Sequence, residues 1–235
     1  MRIDYSNLSE RPRGRFVTLA YLVLPGVRSV QRQVVPYAQD WQQHNTDVLA
    51  AAGDGPLWVA MGDSMTLGIG ASMPQRGWVG QLAARMPGWR VLNLGINGGR
   101  VLDVLERQLP MLESLDPAPD LVTVLIGSND MMNPRLRRSL DADLPELLRR
   151  LPTRTVVGNQ PGTHPAALRV NAIIDQAVAD HRLVLAELRD PRTRSWRDKL
   201  AADRFHPNDR GYAGIAEVFG EAVDQVAAGG LSPEG

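Results

Sequence analysis

The feature that most constrains the fold is an alternation of two patterns that begins at residue 56. Short apolar runs separate longer segments in which apolar residues recur every three or four positions, as in helices with one buried face. Several runs are continuous in valine, leucine and isoleucine, which is typical of parallel strands buried on both faces. The candidate strands are 57–61, 90–94, 121–126, 154–159 and 182–188.

Strands that alternate with helices over about 170 residues predict an α/β fold. We expect a three-layer α/β/α sandwich around a central five-stranded parallel sheet, because buried parallel strands need a helical layer on each face. The candidate helices are 78–86, 101–115, 136–151, 165–181 and 212–227.

The 235-residue length fits one domain with a terminal extension. We predict an N-terminal arm over 1–55 that packs on the core, a domain over 56–228 and a disordered tail over 229–235. Within the arm, the pattern from residue 27 to residue 55 indicates helix, with an interruption near Pro36.

The beginning of the chain is basic. Its arginines are either solvated or in contact with a membrane or a partner, and the sequence leaves both interpretations open. An apolar stretch over 16–26 has about nine apolar residues before its proline, well short of the ~20 that a membrane-spanning helix needs, so we expect no stable membrane insertion. The arginines are Arg2, Arg11, Arg13, Arg15, Arg28 and Arg32.

Composition restricts the classes of partner and site. Lys plus Arg and Asp plus Glu both number 26, so no global charge favours a nucleic acid partner. The chain has no cysteine, which excludes disulfides and thiolate metal sites. We predict a cytoplasmic location, with export as the alternative because arginines precede the apolar stretch as in a signal peptide.

Polar, glycine-rich segments follow four of the predicted strands. In open parallel sheets, ligands bind beyond the carboxyl ends of the strands, so we expect these segments to meet at one edge of the sheet. The sequence therefore predicts a functional site there. The segments are 62–64, 95–99, 127–130 and 159–162.

Ser64, in the Gly-Asp-Ser segment that follows the first strand, is the first candidate for chemistry. It is either a helix N-cap or a nucleophile. A serine hydroxyl is a poor nucleophile unless a base removes its proton, so the second interpretation requires a histidine.

The chain has four histidines. His44 lies in the arm, His181 ends a predicted helix, and His164 lies at the strand edge and competes for the role of base. His206 follows Asp203 by three residues, a spacing that lets the carboxylate bind the imidazole and orient it. We therefore predict that His206 and Asp203 act together.

Acyl transfer also requires hydrogen-bond donors for the oxygen that becomes negative. The N–H groups of Ser64 and Gly98 and the side-chain amide of Asn129 are candidates, with Gly95 or Gly99 as alternatives to Gly98. Each of these residues is also common in turns or helix caps.

Taken together, these segments resemble the SGNH (GDSL-type) hydrolase family, whose name comes from a serine, a glycine, an asparagine and a histidine in four blocks. The resemblance covers roughly residues 57–225, with the blocks in the family order. The blocks are "GDSM" with Ser64, "NLGINGG" with Gly98, "GSND" with Asn129 and "DRFH" with Asp203 and His206.

The resemblance implies a flavodoxin-like fold and a serine esterase or lipase mechanism. Ser64 would attack a small-molecule acyl ester, His206 would take its proton, and Asp203 would hold the imidazole. Ser64, Gly98 and Asn129 would form the oxyanion hole, and no metal or cofactor would be required. Asp63 would brace the nucleophile turn.

Three alternatives stay open at this point. The first is an acyltransferase of the same family, and the second is a nucleotide-binding module built on the glycine-rich turns. The third is a metal-dependent phosphoesterase that uses Asp203, His206 and Asp209, with Asp63 or Asp130 contributing. The sequence leaves open the acyl chain length, the alcohol and the oligomeric state.

Overall fold

The computed structural model describes residues 5–9, 11, 15–51, 53–134, 136–180 and 182–229, and side chains within this range except those of 15–17 and 229. His181 and residues 230–235 of the predicted tail lie outside this description. So do Arg2 and Arg13 of the basic beginning.

The described chain contains a five-stranded, all-parallel sheet with the order β2-β1-β3-β4-β5. This confirms the predicted fold class, and each strand lies where the apolar runs predicted it, with no end moved by more than two residues. The strands are β1 Leu57–Gly62, β2 Arg90–Asn93, β3 Leu121–Leu125, β4 Val156–Gly158 and β5 Val184–Ala186.

Helices cover both faces of the sheet. The first helices along the chain are α1 Arg15–Val23, α2 Pro25–Gln31, α3 Val34–Ala50, α4 Ser64–Leu67, α5 Trp78–Ala83 and α6 Val101–Asp103. The others are α7 Leu109–Glu113, α8 Ser128–Met132, α9 Arg137–Arg150, α10 Pro165–Val178, α11 Pro191–Arg194 and α12 Asp209–Gly229. A 3₁₀ turn, Pro74–Arg76, precedes α5, and a π-helical turn, Val104–Gln108, joins α6 to α7.

The central strand β1 is buried along its whole length. Trp58 and Ala60 pack into one core with α5 and α12, whereas Leu57, Val59 and Met61 pack into the other with the α6–α7 stretch, α9 and α10. Successive side chains of a strand point to opposite faces, so one continuous apolar run supplies both cores.

Two details of the helices compare directly with the sequence expectation. The predicted helix over 101–115 contains a π turn that the sequence did not indicate. The helical pattern of the arm is interrupted between α2 and α3, a few residues before Pro36, as predicted. Pro36 is in the first turn of α3, where its missing N–H has no intrahelical acceptor to lose.

The amino-terminal part of the chain covers the β2 edge of the sheet. The Asn45 amide of α3 accepts from the Asn93 N–H at 2.9 Å and donates to the Asn93 carbonyl at 2.7 Å. The Asn7 amide also donates to that carbonyl, at 2.9 Å. Unpaired backbone N–H and C=O groups of an edge strand can pair with the strands of other molecules. These bonds satisfy such groups on β2. None of the described helices is long and apolar enough to cross a bilayer.

Candidate active site

The first element of the site is the turn between β1 and α4. Gly62 ends the strand with φ +154°, and a Cβ at this position would lie 2.3 Å from both the Leu125 carbonyl oxygen and Thr66 Oγ1. Only glycine fits here without displacing β3 or α4. The chain therefore turns sharply, and Ser64 follows as the first residue of α4.

Asp63 caps α4, so the capping role that Ser64 could have had belongs to its neighbour. The Asp63 carboxylate accepts from the Met65 N–H at 2.9 Å and also from Ser128 Oγ. Burial raises the pKa of Asp63 above its usual value, although the hydrogen bonds from Ser128 and Met65 oppose this. The Ser64 hydroxyl is left available for another contact.

That contact is with His206. Ser64 Oγ lies 3.1 Å from His206 Nε2, and His206 Nδ1 lies 2.6 Å from Asp203 Oδ2. The other carboxylate oxygen of Asp203 accepts from the N–H groups of Phe205 and His206, both at 3.0 Å. The structure thus brings together a hydroxyl, an imidazole and a carboxylate that are separated by up to 142 positions in sequence.

Asp203 is stabilised as a carboxylate. Burial acts to raise its pKa, but the hydrogen bond and charge of His206, with the two backbone N–H donors, outweigh burial and hold the pKa below its usual value. An ionised Asp203 accepts the proton on Nδ1, which leaves Nε2 as the nitrogen that faces Ser64.

The loop that carries Asp203 and His206 is held by short-range contacts. The Ala201 N–H donates to the His206 carbonyl at 2.8 Å, and Leu200 forms an isolated bridge with Pro207. The Asn208 side chain caps α12, since its Oδ1 accepts from two N–H groups of the first turn, and its amide donates to the Asp198 and Leu200 carbonyls.

The competing histidines have other roles. His164 is the N-cap of α10, where Nδ1 accepts from the Ala166 N–H at 3.1 Å. His44 places Nε2 3.0 Å from the Val91 carbonyl, at the covered edge of the sheet. Neither contacts Ser64.

Of the three glycines in the second block, Gly98 alone has a backbone N–H without an acceptor among the described residues. The Gly95 N–H donates to Asn93 Oδ1 at 2.9 Å, and the Gly99 N–H donates to the Ile96 carbonyl at 2.8 Å. Gly98 has φ +68° and open space around it. The Ser64 N–H likewise has no acceptor in the described chain.

Asn129 lies between the second block and the nucleophile turn. Its Nδ2 donates to the Gly99 carbonyl at 2.8 Å and lies 3.3 Å from Asp63 Oδ2. A Cβ on Gly99 would be 3.4 Å from the Asp63 Cα, so the two turns touch. Asn129 and the second block thus adjoin the turn that carries Ser64.

Sequence reasoning missed two groups that support this geometry. Gln108, fully buried in the π turn, donates from Nε2 to the Gly62 carbonyl and accepts from the Gly62 N–H, both at 2.8 Å. A polar residue on an apolar helix face was the available signal, and π turns are frequent at functional sites. Ser128, which donates to Asp63, carried no such signal.

The arm also reaches the second block. Arg11 Nη2 donates to the Gly98 carbonyl at 3.1 Å, and the same guanidinium pairs with Asp103. No pattern in the sequence indicated this contact, because it joins positions 87 residues apart.

The side chains of the metal-site alternative have other partners. Asp209 accepts from the N–H and Oγ of Ser72, and Asp130 accepts from the Val101 N–H. Burial raises the pKa of Asp130 to about 6. In the described part of the chain, no three His, Asp or Glu side chains are grouped so that they could hold a metal ion.

A scan against protein-family models matches residues 60–213, more than half of the 235 residues, to the GDSL-like lipase/acylhydrolase family. The chain belongs to this family. A search of curated proteins finds no match. The family resemblance stated from the four sequence blocks is thereby confirmed.

Solved structures with the same fold are similar at low sequence identity. TesA has a TM-score of 0.62 and 18% identity over 72% of this chain and 99% of its own. The psychrotrophic esterase EstA from Pseudoalteromonas sp. has a TM-score of 0.58 and 19% identity over 73% and 98%. The salicylyl-acyltransferase SsfX3 from a tetracycline biosynthetic pathway has a TM-score of 0.57 and 21% identity over 78% and 57%.

Proposed function

We propose that this protein hydrolyses carboxylic acyl esters through a covalent acyl-enzyme on Ser64. The observation that carries the proposal is the chain of two hydrogen bonds from Ser64 Oγ to His206 Nε2 at 3.1 Å and from His206 Nδ1 to Asp203 at 2.6 Å. Membership of an acylhydrolase family supports the reaction class.

In the first step, Ser64 Oγ attacks the ester carbonyl carbon while its proton moves to His206 Nε2. Asp203 holds the Nδ1 proton and stabilises the imidazolium that forms. The tetrahedral intermediate then expels the alcohol, which takes the proton from Nε2, and the acyl group stays on Oγ. A water molecule repeats the sequence: His206 takes its proton, the acyl carbon is attacked, and Ser64 regains its hydrogen.

The negative oxygen of each intermediate needs donors that are already in place. The N–H groups of Ser64 and Gly98 have no acceptor in the described chain, so both are free to donate. The amide of Asn129 uses one hydrogen on the Gly99 carbonyl at 2.8 Å. Its second hydrogen has only the long 3.3 Å contact to Asp63, which an oxyanion can replace.

The proposal is tested with soluble chromogenic esters of increasing acyl length and with an organophosphonate that labels activated serines. Ser64→Ala should abolish both turnover and labelling, because no other hydroxyl contacts His206 in the described chain. Ser128→Ala is the matched control, since that serine is in the same site but donates to Asp63.

In Ser128→Ala the phosphonate adduct should remain on residue 64, as located by mass spectrometry of the peptides. Unchanged ester hydrolysis in Ser64→Ala, or an adduct at a different residue, would rule out the proposed nucleophile.

A second candidate is transfer of the acyl group to an alcohol instead of to water. The structural similarity to a salicylyl-acyltransferase favours keeping it, although this chain spans only 57% of that protein. The acyl-enzyme is common to both reactions, and only the acceptor differs. Product analysis with water and added alcohols decides between them: hydrolysis predicts free acid as the main product, and transfer predicts the new ester.

A further inference from the structure

The end of α1 exposes an unusually apolar surface. Leu19, Leu22 and Val23 are 60%, 63% and 63% exposed, and the following Leu24 is 51% exposed. Residues at spacings of three and four share one face of a helix, so the first three side chains form a continuous strip. Contiguous exposed apolar surface usually marks a site of interaction. We call these four residues the α1 apolar strip.

Every charged residue in the sequence around the α1 apolar strip is an arginine. From residue 11 to residue 39 it has five arginines and no aspartate or glutamate. Arg11 is neutralised by Asp103 and Arg28 donates to the carbonyls of Tyr21 and Leu22, but neither Arg28 nor Arg32 has a carboxylate partner in the described chain. An occupant of this surface must therefore combine apolar groups with negative charge.

The chain that directly follows the α1 apolar strip packs on the loop that carries the candidate base. Gly26, at the start of α2, packs so closely on this loop that a Cβ there would be 2.1 Å from the Ala202 carbonyl oxygen. Ala202 directly precedes Asp203 in this loop. Phe205 of the same loop is 52% exposed, and Arg204 has no carboxylate partner in the described chain. Apolar and basic side chains thus continue onto this loop, residues 198–208, which we call the histidine loop.

We propose that the α1 apolar strip docks on the surface of an anionic lipid bilayer and holds the Ser64–His206 site against it. The inference rests on the proposed function, because the lipid layer would present the acyl ester. Apolar side chains with flanking arginines are the features that place a helix in a membrane interface. None of the described helices is suited to span a bilayer, so the protein would lie on its surface.

Vesicle flotation of the full chain tests the docking. Vesicles of phosphatidylcholine alone are compared with vesicles that also contain phosphatidylglycerol, at low and high salt. The wild type should float with the anionic vesicles and lose binding as salt rises, because screening weakens the attraction of the arginines. Equal flotation with both vesicle types, or with neither, would overturn the proposal.

Two variants and a matched control assign the binding to this surface. The double change Leu22→Ser and Val23→Ser should lower the partition constant at least about tenfold, and Arg32→Gln should lower it roughly fivefold. Leu168→Ser is the control, since Leu168 is a similarly exposed leucine (52%) on α10, and its partition should be unchanged. Melting curves confirm that each variant is folded.

Two further measurements separate the possible failures. Flotation of Ser64→Ala tests docking without chemistry, and hydrolysis of a soluble short-chain ester tests chemistry without a bilayer. Hydrolysis without flotation overturns only the docking, whereas flotation without hydrolysis overturns only the proposed function. A dimer in light scattering that the Leu22→Ser and Val23→Ser change dissociates would show that a second copy covers the strip, and would also overturn docking.

Discussion

The nucleophile turn and the histidine loop hold their reacting groups in different ways. The turn at Gly62 and Asp63 is buried and receives hydrogen bonds from Gln108 and Ser128, which are distant in sequence. The histidine loop has many hydrogen bonds between its own residues, beside the longer-range contacts of Ser72 with Asp209 and of Gly26 with Ala202, and Phe205 next to the base is exposed. The first half of the site depends on the assembled sheet, whereas the second depends largely on local hydrogen bonds.

This contrast separates stability from catalysis. When one partner of a buried hydrogen bond near the nucleophile is removed, the other stays buried without a partner, and the free energy of unfolding falls. The loop can lose the orientation of His206 while the sheet remains intact. We therefore expect substitutions in the loop to reduce turnover more than stability, and substitutions behind the turn to reduce stability as well. Five changes test this, the largest expected effects first.

Asp203→Asn should give the largest effect, a fall in kcat on the order of 10³–10⁴-fold, because asparagine no longer fixes the Nδ1–H tautomer of His206. The melting temperature should change little. Steady-state kinetics with a soluble ester measure kcat, and thermal unfolding measures the melting temperature. Asp198→Asn, in the same loop but 77% exposed, is the control and should keep its activity. Equal kinetics in both variants would contradict the role of Asp203.

Asn129→Ala should lower kcat about 10²–10³-fold, since it removes one oxyanion donor while Ser64 and His206 keep their contact. The KM should change much less, because the donor acts on charge that develops in the transition state. Phosphonate labelling of Ser64 should persist at a reduced rate. A loss confined to KM would mean that Asn129 binds the ground state instead.

Gln108→Leu should destabilise the protein by about 2–3 kcal/mol, because the buried Gly62 N–H loses its acceptor. On the histidine side, Asn208→Ala removes four hydrogen bonds but should cost only about 1 kcal/mol, since this cap is partly exposed to water. Urea unfolding of both variants compares the halves directly. A larger loss in Asn208→Ala would reverse the contrast.

Asp130→Asn should give a modest effect that depends on pH. Burial raises the pKa of Asp130 from 3.8 to about 6, so the folded state binds its proton more tightly than the unfolded state does. The wild type therefore loses stability as pH rises from about 4 to about 6. Asparagine still accepts from Val101 but cannot ionise.

The variant should be more stable than the wild type above about pH 6, by on the order of 1–2 kcal/mol, and this advantage should disappear near pH 4. Urea unfolding at several pH values measures it. Parallel stability curves for the two proteins would show that Asp130 does not ionise in this range.

The resemblance named the residues of the site, but it could not select among neighbours with the same residue type. The glycine block offered Gly95, Gly98 and Gly99, and only the hydrogen bonds of the folded chain show that the Gly98 N–H is the one without an acceptor. His164 had a plausible position after a strand, and the structure uses it as a helix cap. The choice depends on where each donor points, which spacing does not encode.

The supporting groups were harder to foresee. Gln108 lies in a π turn within a segment that the sequence predicted as one helix, and from there its amide binds Gly62. Arg11 and Asn7 contact residues more than 80 positions away. Hydrogen bonds between distant segments leave no periodic signal in the sequence.

By itself, the sequence determined the parallel sheet, its two helical layers and the edge at which polar segments gather. Local rules suffice for these, since hydrophobic period and glycine position depend on neighbours along the chain. Only the tertiary structure decided that Asp63 caps α4 and leaves the Ser64 hydroxyl to His206, 142 positions away, and that Gly26, just after the α1 apolar strip, packs on the histidine loop. Such contacts depend on how the layers pack, and that packing depends on side chains from distant parts of the chain.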